Sequence, residues 1–387
     1  MTTTGELVSG GISIAEPAVR PSPIDVPQRD LDDLRSRLER TRWGDELIGA
    51  GSDYGVPFAY VRRLVDYWLD RYDWRAWEAR LNQSGPSEST IDGQRIHFLH
   101  ARSREPGAFP LILTHGWPGS IVEFLDVIAP LTDPASHGGE RSDAFHVVIP
   151  ALPGYGFSGA TRERGWDNQR IARAWVELMA RLGYTRYGAV GNDAGSMISP
   201  ELGRIDPDHV VGVHVTQLFS FPTGDPDEMK DFGPDELAQL QTLQWFYEHK
   251  FSFNVLMAQQ PQTLGYAIDD SPVGLLAWLA QLLGEELDPD FVLTNVMTYW
   301  LTRTGSSAAR LYYENARAPH RSAGPTTRPT GLGGFGGDFY GIGRLAERDH
   351  RNIIRWTTHD HGGHFAAHKV PDLYVADVRA FFRTVGR

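Results

Sequence analysis

Between residues 187 and 205 a strand-like run, Tyr187 to Val190, turns abruptly through Gly191-Asn192-Asp193-Ala194-Gly195-Ser196 into a helix-compatible stretch, Met197 to Ile205. A turn this sharp needs small neighbours, because its tip residue is held at strained backbone angles and the following helix must pack close behind it. The pattern is a nucleophile elbow that carries Asp193 where serine is usual. A carboxylate at the tip changes the chemistry. An ester formed on Asp193 by attack on an alkyl carbon can be hydrolysed at its carboxyl carbon, which returns the aspartate unchanged. Taken alone, the stretch reads equally well as a surface turn of the Asn-Asp-Gly kind. The rest of the chain therefore decides.

The elements around the elbow alternate as a mostly parallel sheet with helices on its faces requires. Short β-like runs at Gln94–His100, Pro110–Thr114, His146–Pro150, Tyr187–Val190 and Val210–Val215 are separated by helical stretches at Ile121–Leu131 and Asn168–Leu182. Before them, Gln28–Arg42, with Asp30 available as a cap, Pro57–Tyr72 and Trp74–Leu81 place apolar residues at helical spacing. After Phe219 the chain is helical and aromatic, with helices expected over Glu236–Phe253, Val273–Leu283 and Asp290–Arg303. The sheet resumes near Thr330 and at Ile353–Thr357, and a last helix covers Pro371–Arg383. This reads as an α/β-hydrolase fold with a helical cap and an N-terminal helical extension. The expected divisions are a flexible arm over 1–22, the extension over 23–88, the core over 89–219, the cap over 220–325 and the second part of the core over 326–387. Low complexity is confined to the arm and the Ser322–Gly337 loop.

Composition narrows the function. A net charge of -12 with no basic patch argues against nucleic acid, whose phosphates demand clustered Lys and Arg. Without cysteine there is no disulfide or thiolate chemistry. No signal peptide or membrane span is visible, so the chain reads as cytoplasmic with no membrane partner. A homodimer is compatible with these features, which decide no oligomeric state.

Two further segments fall in the order that this fold demands of a nucleophile, an acid and a histidine. In His359-Asp360-His361-Gly362-Gly363-His364-Phe365, after the last strand, His364 is the candidate base. Asp338, in Gly336-Gly337-Asp338-Phe339 after the penultimate strand, is the candidate orienting acid, though alone it reads as a turn residue. Leu113-Thr114-His115-Gly116-Trp117-Pro118-Gly119 follows a strand, so the backbone N–H groups of Trp117 and Ala194 can converge on one oxyanion. His361, His364 and His368 do not read as a metal site, because Gly362-Gly363 breaks any common helical face. Gly154-Tyr155-Gly156-Phe157-Ser158 lacks the Gly-x-Ser-x-Gly spacing and reads as a loop that shapes the site.

Together the His115-Gly116-Trp117-Pro118 segment, the Gly191–Gly195 elbow, Asp270-Ser271-Pro272-Val273-Gly274 and Gly362-Gly363-His364-Phe365 resemble the microsomal-type epoxide hydrolases. The likeness runs from about residue 22 to the C-terminus, and the N-terminal helices agree with that family's extension. The soluble bacterial branch of this family includes enzymes of enediyne-antibiotic biosynthesis. The resemblance implies a cofactor-free enzyme that opens a small-molecule epoxide, apolar or aromatic, to a vicinal diol through an alkyl-enzyme ester on Asp193. It also implies a cap tyrosine that donates a proton to the epoxide oxygen. Tyr312, in Arg310-Leu311-Tyr312-Tyr313-Glu314-Asn315, matches that position, with Tyr313 next in register. Where the family often has a second cap tyrosine this chain has Phe253, and Tyr299 is a replacement to weigh. Phe253, Tyr299 and Tyr313 are therefore expected to line the substrate site.

Two rival classes follow from the same residues. A haloalkane or haloacid dehalogenase also uses an elbow aspartate, but Ala194 offers no indole N–H to the leaving halide. A non-catalytic binding protein of hydrolase fold has no need of the Asp193, His364 and Asp338 set. Secondary-metabolite (antibiotic) biosynthesis and detoxification fit the chain equally.

Overall fold

Runs of Val, Ile and Leu that are apolar on both sides need a covering layer on each face, and such runs form the middle of this protein. The structure is a computed structural model in which residues 19–318 and 324–386 are described. Most of the expected arm, residues 1–18, lies outside the described residues, as do 322–323 of the Gly-rich loop. Among the described residues nine strands form one sheet: β1 (Arg20–Pro21), β2 (Pro86–Ile91), β3 (Gln94–Ala101), β4 (Phe109–Thr114), β5 (Phe145–Pro150), β6 (Tyr187–Gly191), β7 (Val210–Val215), β8 (Thr330–Phe335) and β9 (Ile353–His359). Their order is β1-β2-β3-β5-β4-β6-β7-β8-β9. From β5 across to β9 every pairing is parallel, whereas β1, β2 and β3 pair antiparallel and β3 meets β5 antiparallel. This is the α/β-hydrolase fold expected from the alternation.

Three readings need correction at the N-terminal side. Arg20 and Pro21, expected in a flexible arm, are a strand on Glu88 and Ser87, and the Arg20 guanidinium bonds the Glu88 carboxylate at 2.6 Å. β2 begins at Pro86, ahead of the expected start of the core at residue 89. The β2–β3 hairpin turns through Asp92 and Gly93, both at positive φ (51° and 74°), a conformation this pair tolerates. Asp30 does not cap its helix, Gln28–Glu39: the cap position is Pro27 and Asp30 sits in the first turn.

Helices Phe58–Asp70 and Trp74–Asn82 follow, and the extension leans on the cap. Tyr60 Oη donates to the Gly284 carbonyl (2.6 Å), Tyr67 Oη to Asp290 (3.0 Å), and Tyr72 Oη shares a hydrogen bond with Thr294 (3.0 Å). These acceptors belong to or border the cap helices Pro272–Leu283 and Pro289–Thr302. Ser271, in the segment singled out by resemblance, caps the first of them through the Gly274 N–H (2.9 Å). Within the expected helical region, the Glu236–Phe253 run divides into Pro234–His249 and Ser252–Gln259, and Pro261–Ile268 and Gly305–Asn315 were not placed individually; the last carries Tyr312.

Candidate active site

Parallel strands deliver their loops to one end of the sheet, and ligands in such folds bind outside those carboxyl ends. The loops after β4, β5, β6, β8 and β9 all bring side chains there. Asp193 follows β6 by one residue, Asn192, and has φ 53° and ψ -119°, a conformation costly for any residue with a side chain. The turn closes only because its neighbours are glycine: a Cβ on Gly195 would strike the Thr114 carbonyl, and one on Gly116 would strike the Asp193 carboxylate itself. Helix Ala194–Ile205 starts immediately behind, so its N-terminal N–H groups and the positive end of its dipole face the carboxylate.

Two backbone N–H groups hold the Asp193 carboxylate. Trp117 N–H donates to Oδ1 at 3.0 Å, and the Ala194 N–H also hydrogen-bonds the group. Burial pushes the Asp193 carboxyl up from its usual range, while the charge of His364 and these two N–H groups pull it down and Asp338 adds a push upward. The net displacement is upward. Beneath the Trp117 loop, His115 is fixed in one tautomer. Its Nδ1 donates to the Gly116 carbonyl (3.0 Å) and its Nε2 accepts from Leu152 N–H (3.3 Å), and burial lowers it to about 4.

Asp338 and His364 arrive on neighbouring loops that are bonded to each other. Gly336 N–H donates to the His359 carbonyl (2.7 Å) and Gly363 N–H to the Gly336 carbonyl (3.0 Å). His364 Nδ1 then meets Asp338 Oδ2 at 2.9 Å. Desolvation opposes the imidazolium, but the charge and hydrogen bond of Asp338, with smaller help from Asp193, outweigh it and hold His364 up at about 9. His368 stands apart, paired with Asp126 (2.6 Å) and stacked on Phe291.

The cap side supplies rings. Tyr312 lies edge-on to Trp117 and Phe253, with centroids 6.2 and 5.8 Å away, and Trp117 and Phe253 stack at 5.0 Å. Burial first, and then the Asp193 charge, push the Tyr312 phenol well above its usual value, so it is neutral and close to the carboxylate. Tyr299 is also near, but its hydroxyl already donates to the Gly119 carbonyl at 2.5 Å. Tyr313 does not join the cluster. Adjacent helical residues point about 100° apart, and the Arg317 guanidinium covers its ring at 3.6 Å. Of the three residues expected to line the substrate site, Phe253 and Tyr299 lie among these rings and Tyr313 packs with Arg317.

Sequence reasoning missed the network beneath the elbow. Gln217 accepts from Asp193 N–H (2.9 Å) and donates to Asp338 Oδ2 (2.8 Å), so one amide links nucleophile candidate and acid candidate. Asn192 donates to the His364 carbonyl (3.0 Å) and to Glu123 Oε1 (2.7 Å). Glu123 is 1% exposed, its Oε2 has no partner, and burial raises its carboxyl to about 8. An acid among Ile121, Val122, Phe124 and Leu125 was a legible signal for it. Tyr155, read as part of a shaping loop, is 1% exposed and also belongs to this cluster.

Comparison with known proteins agrees with this geometry. Residues 19–124 match the family profile described as epoxide hydrolase N terminus, and 110–252 that of the alpha/beta hydrolase fold. A Stigmatella aurantiaca protein provisionally named an epoxide hydrolase is 42% identical over 94% of this chain and 85% of its own length. Epoxide hydrolase 1 of Sus scrofa is 30% identical over 94% of this chain and 88% of its own. The crystal structure of juvenile hormone epoxide hydrolase from Bombyx mori superposes with a TM-score of 0.87 at 25% identity, covering 96% of this chain and 95% of that one. An elbow aspartate beneath a ring-lined cap, an N-terminal helical extension that braces that cap, and these matches place the chain in the epoxide hydrolase family.

Proposed function

We propose that the enzyme opens an apolar or aromatic epoxide to a vicinal diol in two covalent steps, with Asp193 as nucleophile, Tyr312 as proton donor, and His364 oriented by Asp338 as base. The observation that carries this reading is the grip of Trp117 N–H on Asp193 Oδ1. That oxygen occupies the oxyanion position, which leaves Oδ2 to attack a ring carbon while the C–O bond breaks. The departing alkoxide takes the Tyr312 proton, and the resting His364 imidazolium restores the phenol.

Ester formation removes the Asp193 charge that helps hold a proton on His364, so the imidazole becomes a base once the ester exists. Water then attacks the ester carbonyl carbon. The Trp117 and Ala194 N–H groups hold the tetrahedral oxyanion. One water proton ends on the departing diol oxygen and the other on His364, which regenerates the resting state. The chemistry needs no cofactor. Residues 220–325 act as the cap over the core formed by 89–219 and 326–387, and 23–88 as the brace behind it. A cytoplasmic role in secondary-metabolite biosynthesis or in detoxification belongs to the same proposal.

The test is a single turnover with excess enzyme in oxygen-18 water. Diol almost free of label, with one heavy oxygen on the Asp193 peptide, is expected. His364→Gln should accumulate the covalent adduct, because attack survives and hydrolysis does not. Label in the first-turnover diol and none on that peptide would overturn the covalent mechanism.

A further inference from the structure

Three phenols surround Asp193, and they differ in what their hydroxyls already do. Tyr299 is committed to the Gly119 carbonyl. The Tyr312 hydroxyl makes no hydrogen bond among the described residues and comes from the cap. Tyr155 comes from the core, in the loop after β5, and its hydroxyl is fully buried with no partner. Its ring is fixed rather than loose: the His115 ring lies edge-on at 5.8 Å and Tyr299 at 6.0 Å. The loop is pinned from the cap, where Thr304 accepts from Gly156 N–H (2.9 Å) and Ser307 donates to the Gly154 carbonyl.

A buried hydroxyl without a partner is a penalty that phenylalanine would avoid in the same ring pocket. The penalty makes sense where a ligand supplies the acceptor. The His115 ring beside Tyr155 begins the loop whose Gly116 abuts the Asp193 carboxylate and whose Trp117 grips it and faces Tyr312, so the two phenols and the carboxylate border one site.

We propose that Tyr155 is a second donor to the epoxide oxygen, so that a core phenol and a cap phenol grip the leaving oxygen from two sides, opposite the attacking Asp193 carboxylate. One of the two, Tyr312, gives up its proton as the ring opens, and the other stabilises the developing alkoxide by hydrogen bonding without losing its proton. Phe253 occupies the cap position beside Tyr312 and brings no hydroxyl, so Tyr155 supplies the second polar contact to a substrate that is otherwise apolar.

This rests on the covalent reading above, and the experiment separates the two. Wild type, Tyr155→Phe, Tyr312→Phe and the double variant are mixed in excess with styrene oxide, and adduct on the Asp193 peptide is followed by quenched-flow mass spectrometry alongside thermal unfolding. Tyr155→Phe should form the ester about 100-fold more slowly, hydrolyse it at the wild-type rate, and unfold no earlier than wild type, since its lost hydroxyl had no partner. The double variant should form no detectable ester. Wild-type ester formation in Tyr155→Phe would overturn the role of Tyr155 alone. So would equal slowing of both steps with a lower melting temperature, the mark of a packing residue. No adduct in wild type would overturn both readings.

Discussion

Glu123→Gln removes a buried carboxyl while keeping its shape, and the structure fixes what that should do to stability. Glu123 Oε1 accepts from Asn192, a bond that glutamine Oε1 can retain, and Oε2 has no partner in either protein's favour. Burial raises the folded carboxyl from 4.5 to about 8, against weaker pulls from His364 and Asn192. In the unfolded chain it ionises near 4.5. Because the folded value is the higher one, the contribution is fully present below pH 4.5 and is lost as pH rises toward 8. At 1.36 kcal/mol per pH unit, the loss by pH 7 is about 3 kcal/mol. Glutamine cannot ionise and escapes it.

The two proteins should therefore be close in stability at pH 4.5 and diverge above it, with Glu123→Gln the more stable by about 3 kcal/mol at pH 7. Urea unfolding at half-unit pH intervals checks this, because comparison at each pH cancels groups common to both chains. Parallel curves from pH 4.5 to 8 would refute the reasoning and mean that Glu123 is ionised and paired in the folded enzyme.

Other perturbations follow from local geometry. Asp377 is 2% exposed, bonds His214 Nε2 at 2.7 Å and Arg355 at 2.5 Å, and is held below the ordinary carboxylate range, burial being outweighed by those partners. Asp377→Ala should cost about 3–5 kcal/mol at pH 7 by urea unfolding; the wild-type contribution of this depressed group is lost as pH falls, so the deficit should shrink in acid. Gly195→Ala should abolish the ordered elbow, read as loss of adduct formation together with a lower melting temperature, because its Cβ meets the Thr114 carbonyl. Tyr60→Phe, which loses the bond to Gly284 between extension and cap, should cost about 1 kcal/mol in the same unfolding assay.

What was legible in the chain was what local physics dictates. The elbow could be read because small residues are compulsory on both sides of Asp193, and β4, β5 and β7 because Val-, Ile- and Leu-rich runs are required of strands covered on both faces. β2 escaped because Pro86-Ser-Glu-Ser-Thr is polar, yet the Asp92-Gly93 pair that closes its hairpin was a usable signal. Helix Gly305–Asn315 was obscured by its start, Gly-Ser-Ser, which the cap buries. Gln217 escaped for a different reason. It acts through partners from distant segments, and neither periodicity nor motif spacing reports a bond from residue 217 to residue 338.

The same distant bonds give the proposed reaction its order. Asp193 and Asp338 share one imidazolium, and Gln217 and Asn192 tie the backbone of the elbow to the acid and histidine loops. In the resting state two carboxylates hold the proton on His364, which suits the first step, since an imidazolium cannot divert water onto the epoxide. Esterification cancels one of those charges. Glu123, neutral below about 8, does not replace it. The imidazole is then free to take a proton from water only when there is an ester for that water to attack, and the charge carried by Asp193 itself sets the sequence of events.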